Sequence, residues 1–203
     1  MPELILTAPR CEVTLAEDPF HPVKCTSQIS LGRSSQHNEV QSSLALIARE
    51  VGCTTVKWFT NPTDRTRPDL RVYLPTGQEH IVELSGCELT CATYLRESSR
   101  MPRATLHARE DAKVEKYREK LAARHVAYRP FVWETYGALG DPAVDFVRLL
   151  SPFASSDPRE QWCFNRRSIQ RLSVVLQRSN ARMLHAGYVE AFEVAHGRVI
   201  PPN

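Results

Sequence analysis

The chain has 203 residues, 42% of them hydrophobic and 24% charged, with a net charge of +3. That length suits one domain with a real core and excludes two large ones. No run of eighteen or more apolar residues occurs, which excludes a membrane span read from hydropathy. The near-neutral balance argues neither for nor against a polyanionic partner.

The opening MPELILTAPR lacks a basic region and has a four-residue apolar stretch, so no secretory signal is expected there. The six cysteines (Cys11, Cys25, Cys53, Cys87, Cys91, Cys163) are scattered, and reduced thiols in an intracellular setting are the expectation. Residues 1–36 mix Pro, Ser and Gly without a period and read as irregular. Val40, Leu44, Leu46, Ile47 and Val51 then fall at helical spacing before Gly52, which predicts a helix over 38–51. TTVKWF (54–59) reads as a strand, NPTDRTRP (61–68) as a turn-rich loop, and LRVYL (70–74), PTGQ and HIVELS (80–85) as strand, turn and strand. Residues 86–105 lack a period and read as a loop. Residues 107–125, rich in Ala, Glu, Lys and Arg, predict a helix. VAYRPFVWE (126–134) predicts a buried strand. Asp141 as N-cap with Pro142 behind it starts the next helix. A further helix is predicted over 158–182, then a short helix and a tail. Together these elements predict an α/β or α+β layering, a small mixed sheet flanked by helices.

The chemistry-bearing pattern is Pro68-Asp69 at the start of one strand and Glu83 inside the next, with thirteen residues between the two acids. A hairpin of that length can set both carboxylates at one sheet edge, the oxygen ligands Mg²⁺ or Mn²⁺ needs while keeping waters for a phosphate. Alternatively Glu83 faces solvent by strand alternation, and Asp69 is a turn aspartate. A carboxylate in IVELS requires a metal or a basic partner if it is buried. Lys113, Lys116 and Tyr117 lie near one helical face. A lysine from there could meet charge developing on a phosphate, or simply belong to a charged helix surface. From Arg159 to Arg182 six arginines stand against one acid, Glu160. Such a segment suits either phosphate contact or a solvated helix face. Within it Leu172, Val175 and Leu176 form an apolar stripe. The flanking Arg171 and Arg178 therefore either reach DNA or pair with acids such as Glu134 or Asp145.

Several pieces occur in an order shared with a known family. They are His21…Cys25, Gln36-His37-Asn38, Arg67-Pro68-Asp69, Ile81-Val82-Glu83, Ala112-Lys113…Lys116-Tyr117, Phe131…Glu134-Thr135-Tyr136-Gly137, and Gln170 through Ala181. Over some 160 residues the chain resembles the restriction-like PD-(D/E)XK endonuclease that follows the reverse transcriptase in non-LTR retrotransposon polyproteins. The resemblance implies a restriction-endonuclease-like core over 37–187 and a tail over 188–203. It also implies an Mg²⁺- or Mn²⁺-dependent activity that nicks DNA to prime reverse transcription, in the nucleus and with a reverse transcriptase or ribonucleoprotein as partner. On it, Asp69 and Glu83 hold the metal, Lys113 or Lys116 supplies the catalytic lysine with Tyr117 beside it, and Arg166, Arg167, Arg171 and Arg178 contact DNA.

Departures from the family pattern are the Asn61-Pro62 in place of an acid-proline pair, Ser85 where the usual lysine stands, and CELTCATYL after Glu83. Cys11, His21 and Cys25 match three ligands of the family's zinc knuckle without the fourth, and structural zinc is nearly always four-coordinate. A relic of the knuckle in 1–36 is the stronger expectation. Cys87 and Cys91 read as free thiols, and Trp133 and Tyr136 as core and turn packing. With no reverse transcriptase ahead of the nuclease region, the alternative is a co-opted fragment that binds nucleic acid or protein without cutting.

Overall fold

The computed structural model describes residues 6–8, 11, 13–24, 30–57, 68–88, 95–96, 98–122 and 126–197. The elements run α1 (His21–Lys24), α2 (Ser30–Glu50), β1 (Thr54–Lys57), β2 (Leu70–Tyr73), β3 (Glu79–Cys87), α3 (Ala104–Ala122), β4 (Ala127–Glu134), α4 (Asp141–Ala154) and α5 (Pro158–Ala195). Four strands form one sheet in the order β1-β2-β3-β4. β2 pairs antiparallel with β1 and β3, joined to β3 by a tight turn in which Gly77 adopts a φ of +86° that side chains resist. β3 and β4 pair in parallel, which requires a crossover, and α3 is that crossover helix.

The chain divides into two compact units. The larger, His37–Leu176, contains the whole sheet. One sheet face carries Leu70, Val72, Val82, Leu84, Phe131 and Trp133, buried against Val40, Leu44 and Ile47 of α2, Phe146, Val147 and Leu150 of α4, and Phe164, Leu172 and Leu176 of α5. Each such side chain contributes about 1.5–3 kcal/mol by leaving water. The other face takes α3: Ile81 and Tyr128 pack with Tyr117, and Cys87 and Val132 with Leu106. The sheet thus lies between helical layers, the mixed α/β architecture expected from the element order.

The smaller unit comprises Met1–Gln36 with Gln177–Asn203. In it Val23 packs on Met183, and Ala8 and Leu15 pack on Ala191. The Gln36 side-chain amide donates to Asn180 Oδ1 at 2.8 Å.

Several boundaries differ from those predicted. α2 begins at Ser30, so the N-terminal stretch is helical earlier than its composition suggests. Leu46, counted on the buried stripe, is 46% exposed, because it sits off the Val40–Leu44–Ile47 face. β3 runs on to Cys87 and α3 starts at Ala104, shortening the expected loop from both ends. Gly140, with extended backbone and no side-chain cap, is the N-cap of α4, and Asp141 is instead inside the first turn, paired with Arg103 at 2.9 Å. α5 does not stop near residue 182 but continues to Ala195. Gly187 lies inside this helix, where a Cβ on it would stand 2.4 Å from Pro22 Cβ, so glycine serves close packing. No helix among the described residues is long and apolar enough to cross a membrane.

Candidate acid pair on the sheet

Antiparallel register aligns Leu70 with Val82, so one further step sets Asp69 opposite Glu83. Residues opposite one another in an antiparallel pair share a face. The two acids of the sequence pattern therefore start from neighbouring backbone positions, Glu83 on the face that α3 covers. The Asp69 carboxylate is anchored through Oδ2, which accepts the backbone N–H of Leu84 at 2.7 Å and lies 3.2 Å from His37 Nε2. Gln41 of α2 donates its side-chain amide to the Asp69 carbonyl oxygen, fixing the residue where the strand begins.

Glu83 is 5% exposed, which overturns the solvent-facing alternative. β3 is buried on both faces from His80 to Ser85, so alternation offers no wet side here. Its charge is met by Lys113 from α3, with Nζ 2.8 Å from Oε1. The second oxygen, Oε2, is buried without a hydrogen-bond partner among the described residues. One turn before Lys113, Arg109 donates through Nε to Ser85 Oγ at 2.8 Å. A cation from the crossover helix thus stands beside Ser85.

Of the remaining candidates, Lys116 is exposed, with Nζ 5.0 Å from the Tyr117 ring centre, and forms no ion pair with either acid. Tyr117 is 4% exposed and packs against Ile81, Val126 and Tyr128. Spacing on α3 left Lys113 and Lys116 equivalent; the helix face that meets β3 selects Lys113.

Two groups at the site were missed from sequence. Arg109 stands four residues before Lys113, and that spacing was the available signal. Tyr128 pairs with Ile81 across β3 and β4, on the same face as Glu83, and stacks on Tyr117 with ring centres 5.1 Å apart. Its hydroxyl is buried without a partner among the described residues. Burial, then the charges of Glu83, Tyr117 and Asp69, push its pKa far above the ordinary tyrosine value. It therefore stays a neutral donor.

For His37, burial alone lowers the pKa, but the hydrogen bond and charge of Asp69, helped by Asn38 and by the charge of Glu83, outweigh it and the net shift is upward. A raised folded-state pKa contributes stability that is complete below the unfolded value near 6.5 and fades as pH rises through the folded one. The melting temperature of wild type minus that of His37→Gln should therefore be largest below pH 6.5 and shrink above it. A constant difference from pH 5 to 9 would remove the His37–Asp69 interaction from the account.

The residues fit a hard divalent cation in one respect. Among the described residues, Glu83 Oε2 is an acceptor without a donor, and the hydrogen bonds of the Asp69 side chain run through Oδ2. Among the described residues, no group of three or more His, Cys, Asp or Glu is gathered for a metal. Two carboxylates completed by water and substrate oxygens is the arrangement Mg²⁺ favours. For zinc, Cys25 lies outside the described residues. His21 Nδ1 is 3.5 Å from Asp18, and Cys11 is partly buried beside Val23 and Met183. Cys87 is buried, with Sγ donating to the Trp133 carbonyl at 3.3 Å; burial and then the Glu134 charge push its thiol up to about 12, which keeps it inert. Cys91 and Asn61 lie outside the described residues. Trp133 is 1% exposed, as expected of core packing, whereas Tyr136 is 46% exposed.

On α5, Arg166, Arg167 and Arg178 are exposed. Arg171 is not available in the same way: it pairs with Glu50 at 2.5 Å, neither of the acids anticipated from sequence. Glu50 ends α2, 121 residues away, a partner that only the packing of α2 against α5 brings within reach. Being half-exposed, the pair contributes about 0–1 kcal/mol.

No protein-family model matches the chain, and no curated protein is similar to it at a significant level.

Proposed function

We propose that the protein is an Mg²⁺- or Mn²⁺-dependent DNA endonuclease of the PD-(D/E)XK type, acting at Asp69 and Glu83. The observation that carries this reading is the buried Glu83 carboxylate, opposite Asp69 in register, with one oxygen on Lys113 and the other without a donor among the described residues. Burying an acid on a sheet is costly unless it is paired, and leaving one oxygen unpaired adds to the cost. Such an arrangement is expected where a ligand completes the site.

Asp69 and Glu83 would hold the cation, which supplies an activated water and charge neutralisation at the phosphate. Lys113 sits where its ammonium can meet charge developing on a phosphate oxygen as the bond to the 3′ oxygen breaks. Tyr128 can donate a hydrogen bond to the same oxygen while remaining un-ionised. His37, bound to Asp69 Oδ2, orients that carboxylate. The exposed arginines of α5 are suited to holding the DNA backbone. Priming of reverse transcription, a reverse transcriptase or ribonucleoprotein partner and a nuclear setting follow from the family resemblance alone.

One observation favours a second reading. Lys113 already neutralises Glu83, and a lysine in an ion pair can make a metal unnecessary. The protein would then bind nucleic acid without cutting it. Nicking of supercoiled plasmid with Mg²⁺ or Mn²⁺, wild type beside Asp69→Ala, separates the two.

A further inference from the structure

The first turns of α5 hold an arrangement that the acid pair does not use. Trp162 is 58% exposed. A single exposed apolar side chain is ordinary on a protein surface, but this one has cationic company. The Arg166 guanidinium lies over its indole, 5.2 Å from the ring centre. Arg159, Trp162, Cys163, Arg166, Arg167 and Gln170 are all exposed. At 100° per residue they share one side of the helix, opposite the buried Phe164, Ser168 and Leu172. Arg159, Arg166 and Arg167 have no carboxylate partner among the described residues, unlike Arg171, and Glu160 is the one acid in this stretch. Unpaired guanidinium groups around an open indole offer both things a single strand needs: cations for its phosphates and an aromatic surface for an unstacked base. Arg159 to Arg167 spans roughly 12 Å of helix axis, room for about three backbone phosphates at about 3.4 Å apiece along one strand.

We propose that this face of α5 binds single-stranded DNA, with one base stacked on Trp162 and the phosphates on Arg159, Arg166 and Arg167. A duplex keeps its bases stacked on one another and cannot use the indole, so the face distinguishes an unwound or nicked strand from intact duplex. The choice of DNA over RNA rests on the nuclease reading; the stacking site itself does not.

The test is fluorescence anisotropy of a labelled twelve-nucleotide oligothymidine, its RNA counterpart and a duplex. The full chain is titrated in EDTA so that cleavage cannot intervene. Trp162→Ala should weaken single-strand binding about five-fold or more, with Trp162→Phe between it and wild type, while duplex affinity stays within about two-fold. Arg166→Ala and Arg167→Ala should each lower the salt slope on the single strand by roughly 0.7. Because Trp162 is exposed, its melting temperature should be unchanged, which excludes misfolding as the cause. Wild-type affinity in Trp162→Ala, equal losses on duplex and single strand, tighter binding of the RNA, or no binding at low salt would each overturn the proposal. So would a change in gel-filtration volume on Trp162→Ala with unchanged oligonucleotide affinity, since that would make the face a protein contact. These affinities do not depend on the acid pair. A failure of nicking by wild type would leave them in place and count against the nuclease alone.

Discussion

Replacing Asp69 by alanine is expected to lower plasmid nicking by on the order of 10²-fold or more, the scale set by losing one preorganised charge at a reacting phosphate. Asp69 does two things that alanine cannot do: it offers a carboxylate beside Glu83, and it caps the Leu84 amide at 2.7 Å. The second is structural, so Asp69→Asn is the cleaner companion, because its amide oxygen can still accept from Leu84 while the charge is gone. Both variants should be inactive, with Asp69→Asn melting closer to wild type. Glu83→Gln should be equally inactive. Were Asp69→Asn to nick like wild type under either metal, Asp69 would be a strand-end anchor for Leu84 and His37, and the second reading would stand.

The largest effect on stability is expected at Lys113. Its side chain is 14% exposed and that of Glu83 7%, so the pair is buried rather than a surface ion pair. Removing one partner leaves the other as an uncompensated buried charge, a loss of about 3–5 kcal/mol. Lys113→Met, which keeps the length of the side chain, should thus lower the melting temperature by roughly 6–20 °C, given about 2–4 °C per kcal/mol for a chain of this size. The double variant Lys113→Met with Glu83→Gln should recover much of that, since no charge is then stranded. Millimolar Mn²⁺ should raise the melting temperature of Lys113→Met more than that of the double variant, because a cation can replace the lost ammonium only where the carboxylate survives. If Lys113→Met melts within about 2 °C of wild type, the pair is not what holds Glu83 in place.

What the sequence disclosed follows from how local each feature is. The β2–β3 hairpin was legible because alternation and the PTGQ turn set its register, and that register aligns Asp69 with Glu83. The helical character of α3 was legible from composition, and the Lys113–Lys116–Tyr117 spacing marked the right helix. Which lysine meets Glu83 was not legible, because it depends on how α3 is rotated against β3 and β4. The partners His37–Asp69 and Arg171–Glu50 are separated by 32 and 121 residues and are created by tertiary packing. Tyr128 looked like any aromatic in a buried strand; its role depends on a parallel register with β3 that no local pattern encodes. The helix predicted over 158–182 and the short helix after it are one continuous α5.

The central claim is that Asp69 and Glu83 share a divalent cation. Crystals grown with Mn²⁺ and measured at the manganese absorption edge test it most directly. The expected result is an anomalous peak within about 2.0–2.5 Å of one carboxylate oxygen from each acid, with Glu83 Oε2 as a ligand, lost in Asp69→Asn. A map with no peak there at saturating Mn²⁺, and Lys113 still at 2.8 Å from Glu83 Oε1, would contradict it.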